Sequence, residues 1–426
     1  MQDYCFARKV LGEEFLYERH VNYLLKSLKR STFGGTPLEV AEAHRLSSLF
    51  FVVSGLDLLG ALDTRLNDSD KQEIIQWIYS YQVDKDRILL PLDSFTSNGN
   101  DTSNHSYTSS NNNSNHHQQQ QQHHLHHHHH HQPNDNVDQN NTNHHDDNSS
   151  RIIRTSKVSH AGFRASSMID NDIPFDCGIL TMTYCALATL VILGDDLKRV
   201  DRKSIIRGMR ELQLPNGSFK PSALGGESDM RLVYCAAAVS RLLNDWSGID
   251  RDRCAKFIKG SLSYEGAFAQ YPGSEAHGGS TFCALASLKL MNKLEDTLSY
   301  DDIDRLIRWC INRLDQGFTG RPNKDQDTCY SFWIGACLVI LDHFEYVGQK
   351  NLLDFILMAQ EERGGLSKVP DFYSDPLHTY LGFAGLTFID DDLCSKRGVN
   401  LLKLDPTLNI SQRARSYLDK IHQSFE

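Results

Sequence analysis

The stretch from Asp327 to Trp333, Asp-Thr-Cys-Tyr-Ser-Phe-Trp, contains side chains that can bind a metal ion or an anion. It follows Gly320-Arg-Pro-Asn-Lys324, so two cations, a carboxylate, a thiol and a phenol lie close together in the chain. Asp327 and Cys329 are two positions apart and do not share a helix face, so both can bind one metal only from a turn or a helix start. Two interpretations are open at this point. Either the pair holds a Zn²⁺, or an Asp N-cap precedes a buried structural Cys.

The segment that follows, 332–341, is apolar on all sides and predicts a buried helix, so the candidate chemistry lies at a helix N-terminus. Similar segments recur at intervals of 50, 48, 50 and 48 residues, and a glycine turn precedes each of the last four. They are anchored by an aromatic residue: Tyr184, Tyr234, Phe282, Phe332 and Tyr380.

Amphipathic segments alternate with these apolar ones. They are 201–212, 252–261, 301–314 and 352–360, and segments 47–59 and 71–81 fit as an earlier inner and an earlier outer helix. A period near 50 with two helices per unit is typical of stacked helical hairpins. About six units, apolar inside and polar outside, predict an all-α fold, a closed α/α barrel. No segment predicts a strand.

Polar residues recur at fixed positions of this repeat. Five residues before the aromatic anchors stand Asp229, His277, Asp327 and Asp375. In a closed barrel such residues share one rim, where inner-helix N-termini favour anions. The phase also brings Asp327 and Cys329 to His378, 49 residues after Cys329. Three protein ligands with an open fourth position are the pattern of a catalytic zinc. The competing interpretation is that these residues only cap the inner helices.

The same rim is predicted to carry His277, Arg321, Lys324 and Tyr330. Two cations, a His and a Tyr at helix N-termini suit a diphosphate better than a carboxylate. The predicted interior is lined by Tyr184, Tyr234, Phe282, Phe332 and Trp333. Such a stripe is usually only core, but the axis of a six-unit ring leaves room for a long apolar ligand.

Composition limits the function further. The chain has 426 residues, 44 basic and 54 acidic, and a net charge of -10, of which five Asp lie in the Asn/Gln/His-rich tract 96–150. This tract is predicted to be disordered and divides the barrel into 1–95 and 151–426. The residues outside this tract are nearly neutral, so they lack the excess of positive charge that is typical of nucleic-acid binding. No apolar run is long enough to span a membrane. Ten scattered Cys indicate reduced thiols in a cytoplasmic protein.

Three motifs resemble the β-subunit of a protein prenyltransferase: 321–333, 277–282 and Asp375-Pro-Leu-His378. The resemblance covers nearly the whole chain outside 96–150. It implies an α/α barrel paired with a helical-repeat α-subunit. It also implies one Zn²⁺ held by the matching ligands, Asp327, Cys329 and His378. The implied diphosphate site is His277, Arg321, Lys324, Tyr330 and Lys368, and the implied lipid and peptide cavity is lined by Arg231, Tyr234 and Trp333.

Within the family the chain is most similar to type I geranylgeranyltransferases. Leu377 stands where farnesyl enzymes have Tyr, and Ser47 where they have a bulky Trp that shortens the lipid pocket. Lys368 matches the type I Lys that substitutes for Mg²⁺, so Mg²⁺ is not required. Ile179 departs from the family, whose type I members have His near the peptide pocket, and this leaves the selectivity for the substrate's last residue open.

The resemblance implies transfer of a geranylgeranyl group from geranylgeranyl diphosphate to the Cys of a C-terminal CaaX box, usually with X = Leu. Rho, Rac and Rap-type GTPases are the implied substrates. The farnesyl and Rab-specific enzymes are the alternatives within the family. A terpene cyclase would instead use carboxylates such as Asp195–Asp196 or 390–392, and a barrel that only binds a partner would hold no zinc.

Overall fold

The predicted barrel of about six helix pairs is confirmed by the computed structural model, which describes residues 14–33, 44–83, 161–166 and 177–425. The helices are α1 (Tyr17–Phe33), α2 (Arg45–Leu58), α3 (Leu62–Arg65), α4 (Asp68–Tyr79), α5 (Leu180–Leu193), α6 (Arg202–Leu212), α7 (Met230–Leu242), α8 (Arg251–Gly260), α9 (Gly278–Leu290), α10 (Leu294–Thr297), α11 (Tyr300–Ile311), α12 (Tyr330–Ile340), α13 (Gln349–Met358), α14 (Pro376–Leu386), α15 (Asp391–Ser395) and α16 (Gln412–Gln423).

Six of these helices form an inner ring. They are α2, α5, α7, α9, α12 and α14; each packs against the next, and α14 packs against α2, so the ring is closed. Their sequences are apolar on all sides because each inner helix is surrounded by two ring neighbours, an outer helix and the barrel axis. In α5, for example, every residue from Met182 to Leu193 is buried.

The outer ring consists of α1, α4, α6, α8, α11 and α13, which are amphipathic. In α11 the residues Leu306, Trp309 and Cys310 are buried, whereas Asp301 in the first turn is exposed. Ser299 and Asp302 form a capping box that fixes the start of α11. The predicted segment 301–314 is thus correct in type and ends three residues later than the helix does.

In the four later units, glycine turns join the outer helix to its inner partner and pack against the next outer helix. At Gly217, φ is +96°, and a Cβ atom would lie 2.1 Å from the carbonyl oxygen of Arg253 in α8. Gly364, with φ +93°, would meet the carbonyl oxygen of Arg19 in α1 at the same distance. A side chain is excluded at both positions by backbone conformation and by space. The contact of Gly364 with α1 closes the outer ring.

A buried histidine joins the first outer helix to the turn after the last one at this closure. His20 Nε2 lies 2.9 Å from Oε1 of Gln360, and the Gly365 N–H donates to its Nδ1. Burial lowers the pKa of His20 from 6.5 to about 4, although the Gln360 hydrogen bond raises it. His20 is therefore neutral near pH 7.

The aromatic anchors of the repeat form a belt inside the ring, as their common phase predicts. Ring centroids are 5.5 Å apart for Tyr184 and Tyr234, 5.2 Å for Tyr234 and Phe282, and 4.8 Å for Phe282 and Phe332. Phe50 of α2 is the anchor of the first unit and lies 5.6 Å from the Tyr184 ring. Tyr380 is the belt residue of α14 and contacts Phe50. The belt therefore contains one aromatic side chain from each inner helix.

Short strands are present, contrary to the prediction of none. β1 (Gln82–Val83) pairs with β2 (Gly162–Phe163), and β3 (Leu404–Asp405) pairs with β4 (Ile410–Ser411), all antiparallel. Two-residue strands carry too little periodicity to be seen in a sequence.

The turn between β3 and β4 contacts the aromatic belt. The Tyr184 hydroxyl donates to the carbonyl oxygen of Leu408 at 3.0 Å, and the Tyr380 hydroxyl donates to that of Asn409 at 2.7 Å. Ser411 and Arg413 bind the buried carboxylate of Asp57 near the C-terminal end of α2. This turn thus covers the ring at the end opposite the inner-helix N-termini.

The predicted disordered tract 96–150 lies outside the described residues, and the division into 1–95, 96–150 and 151–426 stays a prediction. The described residues all belong to one unit, Met1–Leu89 with Lys157–Glu426. Among them no helix is long and apolar enough to cross a membrane. Every described Cys is buried and outside any disulfide, in line with the predicted core thiols.

Candidate active site at the inner-helix N-termini

Side chains at one repeat position cap successive inner helices. Asp229 accepts a hydrogen bond from the first turn of α7, His277 from that of α9 and Asp375 from that of α14. Asp327 accepts from the N–H of Cys329 at 2.9 Å, at the start of α12. The capping interpretation is therefore correct for these residues. It does not exclude the metal interpretation, because capping fixes the carboxylates and imidazoles at one rim.

Asp327, Cys329 and His378 come together at this rim, as the repeat phase predicts. One ligand atom from each lies within 4.8 Å of the other two, and His378 Nε2 is 3.3 Å from Oδ1 of Asp327. Bonds of about 2.0–2.3 Å from one Zn²⁺ to O, N and S bring such atoms within about 4 Å of each other. The donor set and its spacing therefore fit a zinc ion after small side-chain adjustments.

Asp375 orients the imidazole of this cluster. Its Oδ1 accepts from the His378 N–H at 3.0 Å, and its Oδ2 lies 2.6 Å from Nδ1 of His378. Nδ1 therefore carries a proton, and Nε2 faces Asp327. A carboxylate behind a metal-binding His is a common supporting contact. The repeat phase singles out Asp375 but does not predict this role, although the three-residue spacing to His378 was a usable signal.

The electrostatics of the cluster suit a cation. Burial raises the pKa of the Cys329 thiol well above its usual value, and the Asp327 carboxylate raises it further. Burial also acts to raise the pKa of Asp327, but hydrogen bonds from His378 and Cys329 outweigh it and hold that pKa low. A divalent cation would reverse the effect on the thiol, because positive charge stabilises the thiolate.

Lys368 is held beside the cluster by its own backbone. Its carbonyl oxygen accepts from both the N–H and the hydroxyl of Thr328, at 2.8 and 3.0 Å. Lys368 Nζ lies 3.8 Å from Oδ2 of Asp327, and its side chain is half exposed. Thr328 was not singled out from the sequence. Its two hydrogen bonds bring the predicted cation of one unit to the predicted metal ligands of the preceding unit.

His277 and Tyr330 form a second polar pair on the rim. The Gly279 N–H donates to Nδ1 of His277, so Nε2 carries the proton and donates to the Tyr330 oxygen at 3.0 Å. Burial, with Arg321 nearby, lowers the pKa of His277, which favours this neutral form. The Tyr330 hydroxyl proton is therefore directed away from His277 and is available to an anion.

The remaining predicted rim cations differ in their surroundings. Arg321 Nη1 binds Glu275 Oε2 at 2.6 Å. Lys324 is exposed, and none of the ion pairs found among the described residues includes it. Arg231 binds Asp229 through Nε at 3.1 Å and Nη2 at 2.5 Å.

The predicted lipid and peptide residues all lie on inner helices. Trp333 is half-buried against Phe282, with ring centroids 5.2 Å apart. Tyr234 is buried, and its hydroxyl donates to the carbonyl oxygen of Thr407 at 3.2 Å. Ser47 and Leu377, both partly buried, lie in the first turns of α2 and α14, with Leu377 next to His378. Ile179 precedes α5 at the same end of the ring.

The carboxylates of the cyclase alternative have structural partners. Asp195 Oδ1 accepts from the Tyr79 hydroxyl at 2.7 Å and from a backbone N–H. Asp390 caps α15, and Asp391 binds Lys403 at 2.6 Å. Both groups follow the C-terminal ends of inner helices, so they lie at the opposite end of the barrel from the rim cluster.

Known proteins are similar to this chain in sequence and in architecture. Residues 15–410 match the family described as "Prenyltransferase alpha-alpha toroid domain". The geranylgeranyl transferase type-1 subunit beta of Arabidopsis thaliana is 41% identical over 246 residues, which are 55% of this chain and 66% of that protein. The Dictyostelium discoideum subunit of the same name is 33% identical over 375 residues, 87% of this chain and 89% of that protein.

Similarity extends to a solved structure, Candida albicans protein geranylgeranyltransferase-I complexed with GGPP. It matches with a TM-score of 0.70 at 21% sequence identity and covers 96% of this chain and 99% of that chain. At this identity the likeness shows the shared fold.

The chain therefore belongs to the prenyltransferase α/α-toroid family. Within it, the resemblance to a type I geranylgeranyltransferase β-subunit, and with it the prediction of a prenyltransferase enzyme, is confirmed by the two relatives that carry that name.

Proposed function

We propose that the chain is the catalytic β-subunit of a type I protein geranylgeranyltransferase. It transfers a geranylgeranyl group from geranylgeranyl diphosphate to the Cys of a C-terminal CaaX box. The observation that carries this proposal is the cluster of Asp327, Cys329 and His378 with Lys368 Nζ 3.8 Å from Asp327. A zinc site beside an anion site is what thiol prenylation by a diphosphate needs.

Asp327, Cys329 and His378 would hold one Zn²⁺. Bound there, the ion would supply a coordination position for the substrate thiol and lower its pKa from about 8.5, so that the sulfur reacts as a thiolate. Asp375 keeps the His378 ring turned toward Asp327 by the 2.6 Å contact at Nδ1. The Thr328–Lys368 hydrogen bonds keep Lys368 beside the reacting groups.

The diphosphate site consists of His277, Arg321, Lys324, Tyr330 and Lys368. Negative charge grows on the diphosphate as the bond to the isoprenoid carbon breaks, and donors fixed before the reaction stabilise it. Removing one such donor typically costs about 3–4 kcal/mol of activation free energy. His277 fixes Tyr330 by a hydrogen bond. The Lys368 cation substitutes for the Mg²⁺ of farnesyl enzymes.

The isoprenoid lies in the barrel lumen, along the side of the ring that carries Tyr234 and Trp333. The aromatic walls bury the isoprenoid and exclude water from its allylic carbon. The small side chain of Ser47, where farnesyl enzymes have a bulky Trp, leaves room for 20 carbon atoms. A farnesyl enzyme is the alternative, and it requires a shorter pocket.

A partner α-subunit completes the enzyme, and Rho, Rac and Rap-type GTPases are its protein substrates. The test is co-expression with candidate α-subunits, followed by competition of geranylgeranyl and farnesyl diphosphate for peptides ending in Leu, Met or Ser. We expect geranylgeranyl transfer to the peptide ending in Leu, unaffected by Mg²⁺ after EDTA treatment. A clear farnesyl preference or strong stimulation by Mg²⁺ contradicts the type I assignment.

A further inference from the structure

Arg321, a predicted diphosphate residue, forms an ion pair with the carboxylate of Glu275. Its Nη1 lies 2.6 Å from Oε2 of Glu275, 46 positions earlier in the chain. The two residues lie in hairpins closed by the bridges 269–276 and 319–326, which occupy the same place in successive repeat units. The ion pair therefore joins neighbouring units at the rim.

The backbone beside this ion pair is already fixed. The Gly278 N–H donates to the carbonyl oxygen of Gly320 at 2.8 Å, and Gly320 directly precedes Arg321. Glu275 stands two residues before His277, which caps α9. Because the hairpins are tied together without it, the ion pair costs little additional ordering, and its effect is to orient the guanidinium group.

Orientation matters because a guanidinium group presents five N–H donors in a rigid fork. Glu275 takes a donor on Nη1, which leaves the others for phosphate oxygens. Another rim arginine is also held by a carboxylate, in this case within one unit: Asp229 binds Arg231 and is itself held by Gln270 Nε2 at 2.8 Å. Arg231 and Arg321 are thus both rim arginines held by a carboxylate.

We infer that Glu275 is a positioning residue for the diphosphate, holding Arg321 so that its remaining N–H groups face the bound anion. The inference rests on the proposed function, since it assigns a role within the proposed diphosphate site. The sign of the effect separates it from simple charge repulsion. Loss of a repelling carboxylate strengthens anion binding, whereas loss of a positioning carboxylate weakens it.

The test measures geranylgeranyl diphosphate binding to the heterodimer by titration. We expect Glu275→Ala to weaken binding about threefold to tenfold, the range for losing one oriented hydrogen bond, and to leave the peptide KM unchanged. In an Arg321→Ala background the same substitution has no further effect. Glu275→Gln, which keeps an oxygen acceptor, recovers part of the loss.

Asp325→Asn is the matched control. Asp325 is exposed on the same hairpin as Arg321, and no ion pair among the described residues includes it. Asp325→Asn removes the same charge as Glu275→Gln, and we expect it to leave geranylgeranyl diphosphate binding unchanged. Tighter binding by Glu275→Ala, or an equal loss in the Arg321→Ala background, overturns the inference. Unchanged binding by Glu275→Ala overturns the role of Glu275 but not the proposed function. A wild-type heterodimer that binds no geranylgeranyl diphosphate contradicts both.

Discussion

Substituting Gly320 by Ala tests how the rim holds Tyr330. A Cβ atom at this position would lie 2.1 Å from Cζ and 2.3 Å from Oη of Tyr330, well inside contact distance. Gly320 is not among the residues with positive φ, so the backbone accepts Ala and the cost comes from the ring alone. The ring must move by about 1 Å or more, which typically costs about 1–3 kcal/mol. The lost hydrogen bond to His277 adds about 1 kcal/mol.

We therefore expect Gly320→Ala to lower the free energy of unfolding by about 2–4 kcal/mol and to weaken geranylgeranyl diphosphate binding about tenfold. Urea unfolding and ligand titration of the heterodimer measure the two effects. Gly348→Ala is the matched control, because its Cβ would meet Leu314 Cδ2 at an ordinary 3.7 Å. In a Tyr330→Ala background, Gly320→Ala should cost less than about 1 kcal/mol. If Gly320→Ala behaves like Gly348→Ala, the close packing of Tyr330 on this backbone is refuted.

Three further predictions concern other parts of the molecule. Asp375→Asn should weaken zinc binding about 10- to 100-fold by releasing His378, measured by chelator competition, and unchanged affinity would show that Asp375 is only a cap. Ser47→Trp should shift the enzyme toward farnesyl diphosphate, measured by competition between the two diphosphates, and an unchanged ratio contradicts its place in the pocket. Between pH 6.5 and 4 the unfolded chain binds a proton at His20 that the folded chain excludes, so stability falls as pH falls through this window, by up to about 3 kcal/mol. Urea unfolding at pH 7 and 5 should show a smaller decrease in the free energy of unfolding for His20→Gln than for wild type. An equal decrease would contradict the role of His20 in this pH dependence.

The repeat made much of the fold predictable. Inner helices are apolar on all sides and outer ones are amphipathic, and a glycine turn of near-constant spacing marks each unit. The alignment of the aromatic anchors then predicted that Asp327 and His378 lie on a common rim, because residues at similar positions of successive units in a closed ring lie at one level. The same phase predicted the belt that Phe50 completes.

Contacts between distant segments were not predictable from the pattern. His20 and Gln360 are 340 residues apart, and the turn at Leu408 meets Tyr184 across 224 residues. Each is a single polar contact without periodicity. Glu275 was missed for a related reason, since an exposed carboxylate in a hairpin has the same appearance in a sequence whether or not an arginine of the next unit faces it.

We propose that Asp327, Cys329 and His378 bind the zinc on which thiol prenylation depends. Metal analysis of the purified heterodimer, together with an assay of its geranylgeranyl transfer activity, is the test of this zinc site. We predict one zinc per β-subunit in the wild type, and loss of zinc and activity together in Cys329→Ala and in His378→Ala. Full turnover by protein that contains no zinc, or full zinc content in Cys329→Ala, would show that these residues do not bind a catalytic zinc.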